Sequence, residues 1–159
     1  MTFCTSTKDL PPFDDYAMSN RTYRYFTGKP LFAFGHGLSY TTFKFADAKL
    51  GESKIAADGK LQLAFTVKNS GKRDGEEVAQ VYFRHVHSVV AQPLESLCGF
   101  QRVSVAAGKA AGVKMEIPAS QLRYWDATKK SYVVEPGEYE PLIGGASDEA
   151  DLIIPFQVH

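Results

Sequence analysis

From Phe43 onward the chain alternates. Leu61, Leu63, Phe65 and Val67 are interleaved with Gln62, Ala64, Thr66 and Lys68, which puts the larger apolar side chains on one face of an extended segment. The run stops at Asn69-Ser70-Gly71, a turn signal. Ala79, Val81 and Phe83 repeat the pattern after the polar stretch from Lys72 to Glu77. Val113, Met115 and Ile117 repeat it again and end at Pro118, and Leu152, Ile154, Phe156 and Val158 close the chain. With shorter apolar runs at 43–50, 100–105 and 139–143, the pattern predicts about seven short strands separated by turns. The one helix-like piece is a single turn near 119–124. Pro141 breaks a local rule, because a proline inside a strand removes a ladder donor. The strand 138–143 is therefore expected at a sheet edge, or bulged at Pro141.

The first 41 residues obey other rules. Residues 1–45 hold eleven of the twenty Phe, Tyr and Trp residues, yet show neither helical nor strand periodicity. Pro11, Pro12, Gly28, Pro30, Gly35 and Gly37 interrupt the segment, which reads as an extended, irregular arm over 1–41. The strands that follow, over 42–159, predict an all-β fold: a seven-stranded antiparallel sandwich of immunoglobulin or fibronectin type III kind. Leu63, Phe65, Val81, Phe83, Met115, Ile154 and Phe156 are its expected core.

Composition narrows the functional classes. The chain has 159 residues, is 44% hydrophobic, and balances 18 basic against 18 acidic residues. A net charge of zero gives no electrostatic footprint for nucleic acid or an anionic membrane. No apolar run approaches the roughly 20 residues of a membrane span, and MTFCTSTKDL lacks a signal peptide's apolar centre. Cys4 and Cys98 form no zinc pattern. They read as two free thiols, with a single bridge as the alternative.

Candidate chemistry is sparse. Adjacent carboxylates on an extended chain point opposite ways, so Asp14-Asp15 and Glu76-Glu77 do not make a pair that could flank one bond. The first reads as a capping or arginine-pairing element, the second as a solvated turn. His85 and His87 share a strand face but lack a third metal ligand, which leaves a surface or loop role. Ser39 lies outside any nucleophile elbow, and Gly35-His36-Gly37 is no dinucleotide loop. Trp125 can stack on a sugar ring, although a core or turn-anchoring role is the plainer reading. The residues supply no catalytic set, no metal site and no cofactor site.

Several stretches then become recognisable. Asn20-Arg21-Thr22-Tyr23-Arg24-Tyr25-Phe26 and Phe34-Gly35-His36-Gly37-Leu38-Ser39-Tyr40-Thr41 resemble segments of family 3 of the glycoside hydrolases. So do Val67 to Gly71, Asp74 to Tyr82, Leu97 to Val103 and Val134 to Tyr139, which match that family's C-terminal fibronectin type III-like domain in its usual order. The arm is most similar to the β-xylosidase branch, with β-glucosidases a close alternative. Cys98, where a basic residue is usual, and Pro141, where a valine-like residue is usual, depart from the pattern.

The resemblance implies that the catalytic machinery of a retaining β-glycosidase lies on a (β/α)8 barrel and an α/β sandwich domain preceding this region. Those two domains are the expected partners of the arm. Ser147-Asp148-Glu149 does not match the family's nucleophile motif, and Thr2-Phe3 looks like the end of the strand that leaves the α/β domain. The expected role is a non-catalytic accessory domain. Phe13, Tyr16, Arg21, Tyr23, Arg24, Tyr25, Phe26, Phe34 and His36 would dock on the catalytic domains. Without them residues 5–30 are expected to be poorly protected and the chain to self-associate through them. The alternatives are an independent carbohydrate-binding module, with a polysaccharide partner and Trp125 as its stacking residue, or a protein-interaction module. The compartment stays open, with secretion or the periplasm as the expectation for a parent enzyme.

Overall fold

The computed structural model describes residues 2–148 and 150–159. Its sandwich strands follow the alternation. β1 (Phe43–Leu50), β3 (Lys60–Asn69) and β6 (Ala110–Pro118) form one antiparallel sheet with β3 in the middle. The facing sheet has the order β2 (Lys54–Ile55), β11 (Phe156–Val158), β9 (Gly137–Gly144), β4 (Gly75–His85), β5 (Ser96–Val105), with β10 (Ala150–Ile153) also paired to β9. Its pairings are antiparallel except for the short parallel contact of β11 with β2. A separate hairpin joins β7 (Tyr124–Asp126) to β8 (Ser131–Val133). Helix is limited to the turn α1 (Thr22–Tyr25) and to 3-10 turns at Thr7–Asp9 and Ala119–Leu122.

The core lies between the two larger sheets. Leu61, Leu63, Phe65 and Val67 of β3 meet Val113 and Ile117 of β6 and, from the facing sheet, Val81, Phe83, Ile143 and Phe156. Each such side chain contributes about 1.5–3 kcal/mol of burial. Asn69 closes the end of β3. It is fully buried, yet its amide donates to the Arg73 and Val105 carbonyls and accepts from Thr41 Oγ1 and the Gly71 N–H, so no polar atom is stranded. Tyr139 is likewise buried and donates its hydroxyl to the Glu135 carbonyl four residues back, at 2.8 Å.

Several expectations need correction. Pro141 is not on an edge: β9 is an interior strand, with Pro141 fully buried and paired opposite Phe83. The Glu138 carbonyl accepts from Val86 on the β4 side. Alternation then turns the Pro141 nitrogen to the other side. There β11 pairs with residues 137–139 and β10 with residues 142–144, leaving no registered partner at 141. The missing donor faces a gap.

Ile154 falls between β10 and β11 and is only half-buried, as is Met115, whereas the other five expected core residues are buried. Glu76 and Glu77 lie in β4 and not in a turn. Glu76 pairs with Arg102 and accepts from Ser104, which together hold its carboxyl below the usual range. Both cysteines are free.

Candidate functional site

Alternation along β4 fails between Ala79 and Phe83, where all five residues are buried. Ala79, Val81 and Phe83 point into the core, so Gln80 and Tyr82 must face outward. The arm covers them. Tyr82 donates its hydroxyl to Gln80 Oε1, with the Phe34 carbonyl at 3.4 Å, and the Gln80 amide donates to the Gly145 and Gly35 carbonyls. Tyr23 stacks on Phe34 with centroids 4.5 Å apart and meets Tyr82 edge-on at 5.7 Å. The Leu97 N–H donates to the Tyr23 hydroxyl, and the Leu94 N–H to the Arg24 carbonyl. Gly35 has φ +88, and a Cβ there would collide with the Gln80 side chain. A glycine is required on both counts.

These contacts correct the view of an arm bare in isolation. Phe26 is buried and Tyr23 and Phe34 are partly buried inside this chain. Arg21 donates to the carbonyls of Pro12, Asp15 and Ala17, stapling the arm to itself. Asp15 shapes the same loop by accepting from the Ala17 N–H. The other residues singled out face solvent: Phe13 is 96% exposed and Tyr16 89% exposed. Arg24 and His36 are exposed and Tyr25 is half-buried. Leu38 and Tyr40, at 96% and 93%, extend the uncovered apolar surface along the arm.

A second feature was not legible as a unit. A cleft of about 440 Å³ opens between α1, the ends of β4 and β5, and the β7–β8 hairpin. Tyr23, Tyr25, Phe83, Tyr124, Trp125, Tyr132 and Tyr139 line it with His85, Arg24, Arg123 and Cys98. Trp125 is not core: it is 55% exposed and meets Tyr132, its partner across the β7–β8 hairpin, edge-on at 5.2 Å. Arg123 lies over the Tyr132 ring at 4.7 Å. Burial pushes the Cys98 thiol up to about 12, which disfavours the thiolate.

His85 departs from its expected surface role. Its side chain is 3% exposed, packed edge-on to Tyr139 at 4.4 Å, and neither ring nitrogen has a hydrogen-bond partner among the described residues. Gly137, at φ +146, admits it; a Cβ there would stand 2.7 Å from Nε2. Glu135 Oε2 is 4.0 Å from Nε2. Burial alone would raise the Glu135 carboxyl, but hydrogen bonds from Ser88, Val89 and Gln92, with His85 nearby, hold it below its ordinary value. His87 is exposed and does not join His85.

One carboxylate pair does converge. Glu95 and Asp148 line a cavity of about 200 Å³ beneath the arm, with Arg84, Phe26 and Thr2. Burial pushes the Glu95 carboxyl up to about 7, Asp148 adds to that, and Arg84 and Ser147 oppose it. The space is smaller than the roughly 300–1,000 Å³ of ligand pockets. Glu95 therefore reads as an acid trapped under the arm. Ser147 and Asp148 are described; Glu149 of the same stretch, and Met1, lie outside the described residues.

Residues 77–147 match the family model of the fibronectin type III-like domain. Over 153 residues, 96% of the chain, it is 40% identical to a xylan 1,4-β-xylosidase of Xylanibacter ruminicola, and covers 17% of that protein. It is 35% identical over 135 residues to a periplasmic β-glucosidase of Salmonella typhimurium, covering 84% of this chain and 18% of the relative. Among solved structures, a β-glucosidase of Erythrobacter marinus superposes with a TM-score of 0.83 at 29% identity, over 99% of this chain and 21% of that one. The chain thus spans about a fifth or less of the length of these proteins.

Proposed function

We propose that this chain, which matches the fibronectin type III-like model over residues 77–147 and is similar to parts of β-xylosidases and β-glucosidases, is the accessory domain of a family 3 β-glycosidase. It braces the catalytic part and performs no hydrolysis itself. A β-xylosidase acting on terminal β-xylose residues is the favoured parent, since the relative at 40% identity is a xylosidase.

The observation that carries the reading is the division of the arm. Its middle is fixed to the sheet through Tyr23, Phe34 and Tyr82. Phe13, Tyr16, Leu38 and Tyr40 stand almost fully exposed on the same arm. Monomeric proteins seldom leave such apolar surface uncovered, and it marks association sites. In this reading those residues, with His36, dock on the (β/α)8 barrel and the α/β sandwich domain of the parent, while Arg24 and Tyr25 line the cleft beside α1. The same surface self-associates when the partner is missing.

The test is reconstitution. The catalytic portion of a family 3 β-xylosidase, prepared without its matching region, should gain activity and a higher melting temperature when this chain is added. A Phe13→Ser/Tyr16→Ser chain should confer much less of either. No gain from the parent chain sinks the accessory reading.

A further inference from the structure

We propose that the aromatic cleft between α1 and the β7–β8 hairpin binds an acidic oligosaccharide, a β-linked pyranose chain carrying a uronate substituent. Three independent observations meet there. The first is shape and exposure. The cleft holds about 440 Å³, within the roughly 300–1,000 Å³ of small-ligand sites. At its rim Trp125 and Tyr132 are 55% and 61% exposed, with ring planes 73° apart. Two exposed rings at that angle make a corner, so one can take the C–H face of a sugar while the other flanks it. Rings with a polar tip suit a ligand that is apolar on its face and hydroxylated at its edge.

The second observation is charge. Arg24 and Arg123 both line the cleft, and neither guanidinium has a carboxylate partner among the described residues. Arg123 is already oriented by the Tyr132 face beneath it. The nearby acid, Glu135, is engaged by Ser88, Val89 and Gln92. The cleft therefore presents two unpaired planar donors without a counter-charge, which favours a carboxylate on the ligand.

The third observation is at the floor. The His85 side chain is 3% exposed and both of its ring nitrogens lack hydrogen-bond partners among the described residues. Buried polar groups without partners are uncommon and call for an explanation. Both nitrogens are closed off in the empty cleft, so in the proposed complex the floor opens enough for a ligand hydroxyl to reach one of them, a bond an apolar occupant could not make.

The choice of a sugar over an acidic peptide rests on the β-glycosidase reading; the cleft itself does not. In such an enzyme the site would hold a decorated polymer near the catalytic part without taking part in cleavage.

The experiment is titration of the whole chain, followed by Trp125 fluorescence, the single tryptophan, and by calorimetry. The probes are xylotriose bearing one glucuronate substituent, unsubstituted xylotriose, and a short polyglutamate peptide. Saturable binding of the acidic sugar is expected, about tenfold tighter than of neutral xylotriose and weakened by salt. Trp125→Ala and Arg123→Gln should each weaken it about tenfold, while Lys44→Gln, exposed on β1 and outside the cleft lining, should leave it unchanged. No saturable response to the acidic sugar up to about 10 mM overturns the proposal. So does equal binding of the two sugars, tighter binding of polyglutamate, or indifference to both substitutions in folded variants. Reconstitution with the catalytic portion is scored separately, so the accessory reading can fail while the sugar still binds, and the reverse.

Discussion

Replacing Gly35 by alanine should free the arm from the sheet while the sandwich stays folded. At φ +88 an L residue is strained, at about 1–2 kcal/mol. The added methyl also collides with Gln80, whose amide is held among the Gly35 and Gly145 carbonyls and the Tyr82 hydroxyl. Moving that buried side chain strands polar groups, at about 1–3 kcal/mol. The sum, about 2–5 kcal/mol, rivals what a few partly buried rings contribute after the arm's ordering cost. The arm should therefore let go before the domain unfolds, and the loss of global stability should level off at the docking free energy. Hydrogen exchange reads this at the Leu94 and Leu97 amides, which donate to the arm, and at Phe26. They should exchange much faster in Gly35→Ala, while Leu63 and Val81 stay protected. A Gly35→Ala/Gln80→Ala double variant removes the collision and should recover part of the protection. Unchanged exchange at Leu94 and Leu97 in Gly35→Ala would show that Gly35 does not position the arm.

Phe65→Ala removes a ring 3% exposed in β3 and should cost about 3–5 kcal/mol, read as a large drop in melting temperature; a shift of a degree or two would remove Phe65 from the core. Glu95, raised to about 7, gives the folded state a proton it holds more tightly than the unfolded chain does, so its contribution is fully present below about pH 4.5 and lost as pH rises through 7. Glu95→Gln should accordingly raise the urea midpoint at pH 8 and leave it unchanged at pH 4; the opposite order would refute the sign. Glu135 is depressed, so its contribution is present above about pH 4.5 and lost as pH falls through the lower folded value; Glu135→Gln should destabilise at pH 7 and much less at pH 3. The chain alone should release no chromophore from aryl β-xylosides or β-glucosides above a mock preparation.

Period two made β3 and most of the core readable, because one face of each sheet is buried and a slip would expose it. It misled at Ile154, where Pro155 separates β10 from β11 and the chain leaves the ladder. Pro141 looked like an edge because sequence shows which strand lacks a donor but not that its neighbour is broken at the same level. The arm's aromatics were visible, but their division was not: Tyr23 and Phe34 find partners in Gln80 and Tyr82 only through the sheet's outer face. A clue was available, since Gln80 and Tyr82 are large residues on a face that otherwise meets water. The cleft was invisible as a unit, since α1, β4, β5, the hairpin and β9 each contribute one to three residues from distant positions. Only Trp125 carried a signal of its own.

Hydroxyl-radical footprinting of the arm tests the central claim most directly. In the isolated chain at low concentration, Tyr16 and Tyr40 are 89% and 93% exposed and should label readily, whereas Tyr82, at 1%, should not. In the complete parent β-glycosidase the account predicts strong protection of Tyr16 and Tyr40, with Tyr82 unchanged. Equal labelling of Tyr16 and Tyr40 in both states would mean that the arm meets no catalytic domain, and would contradict the account.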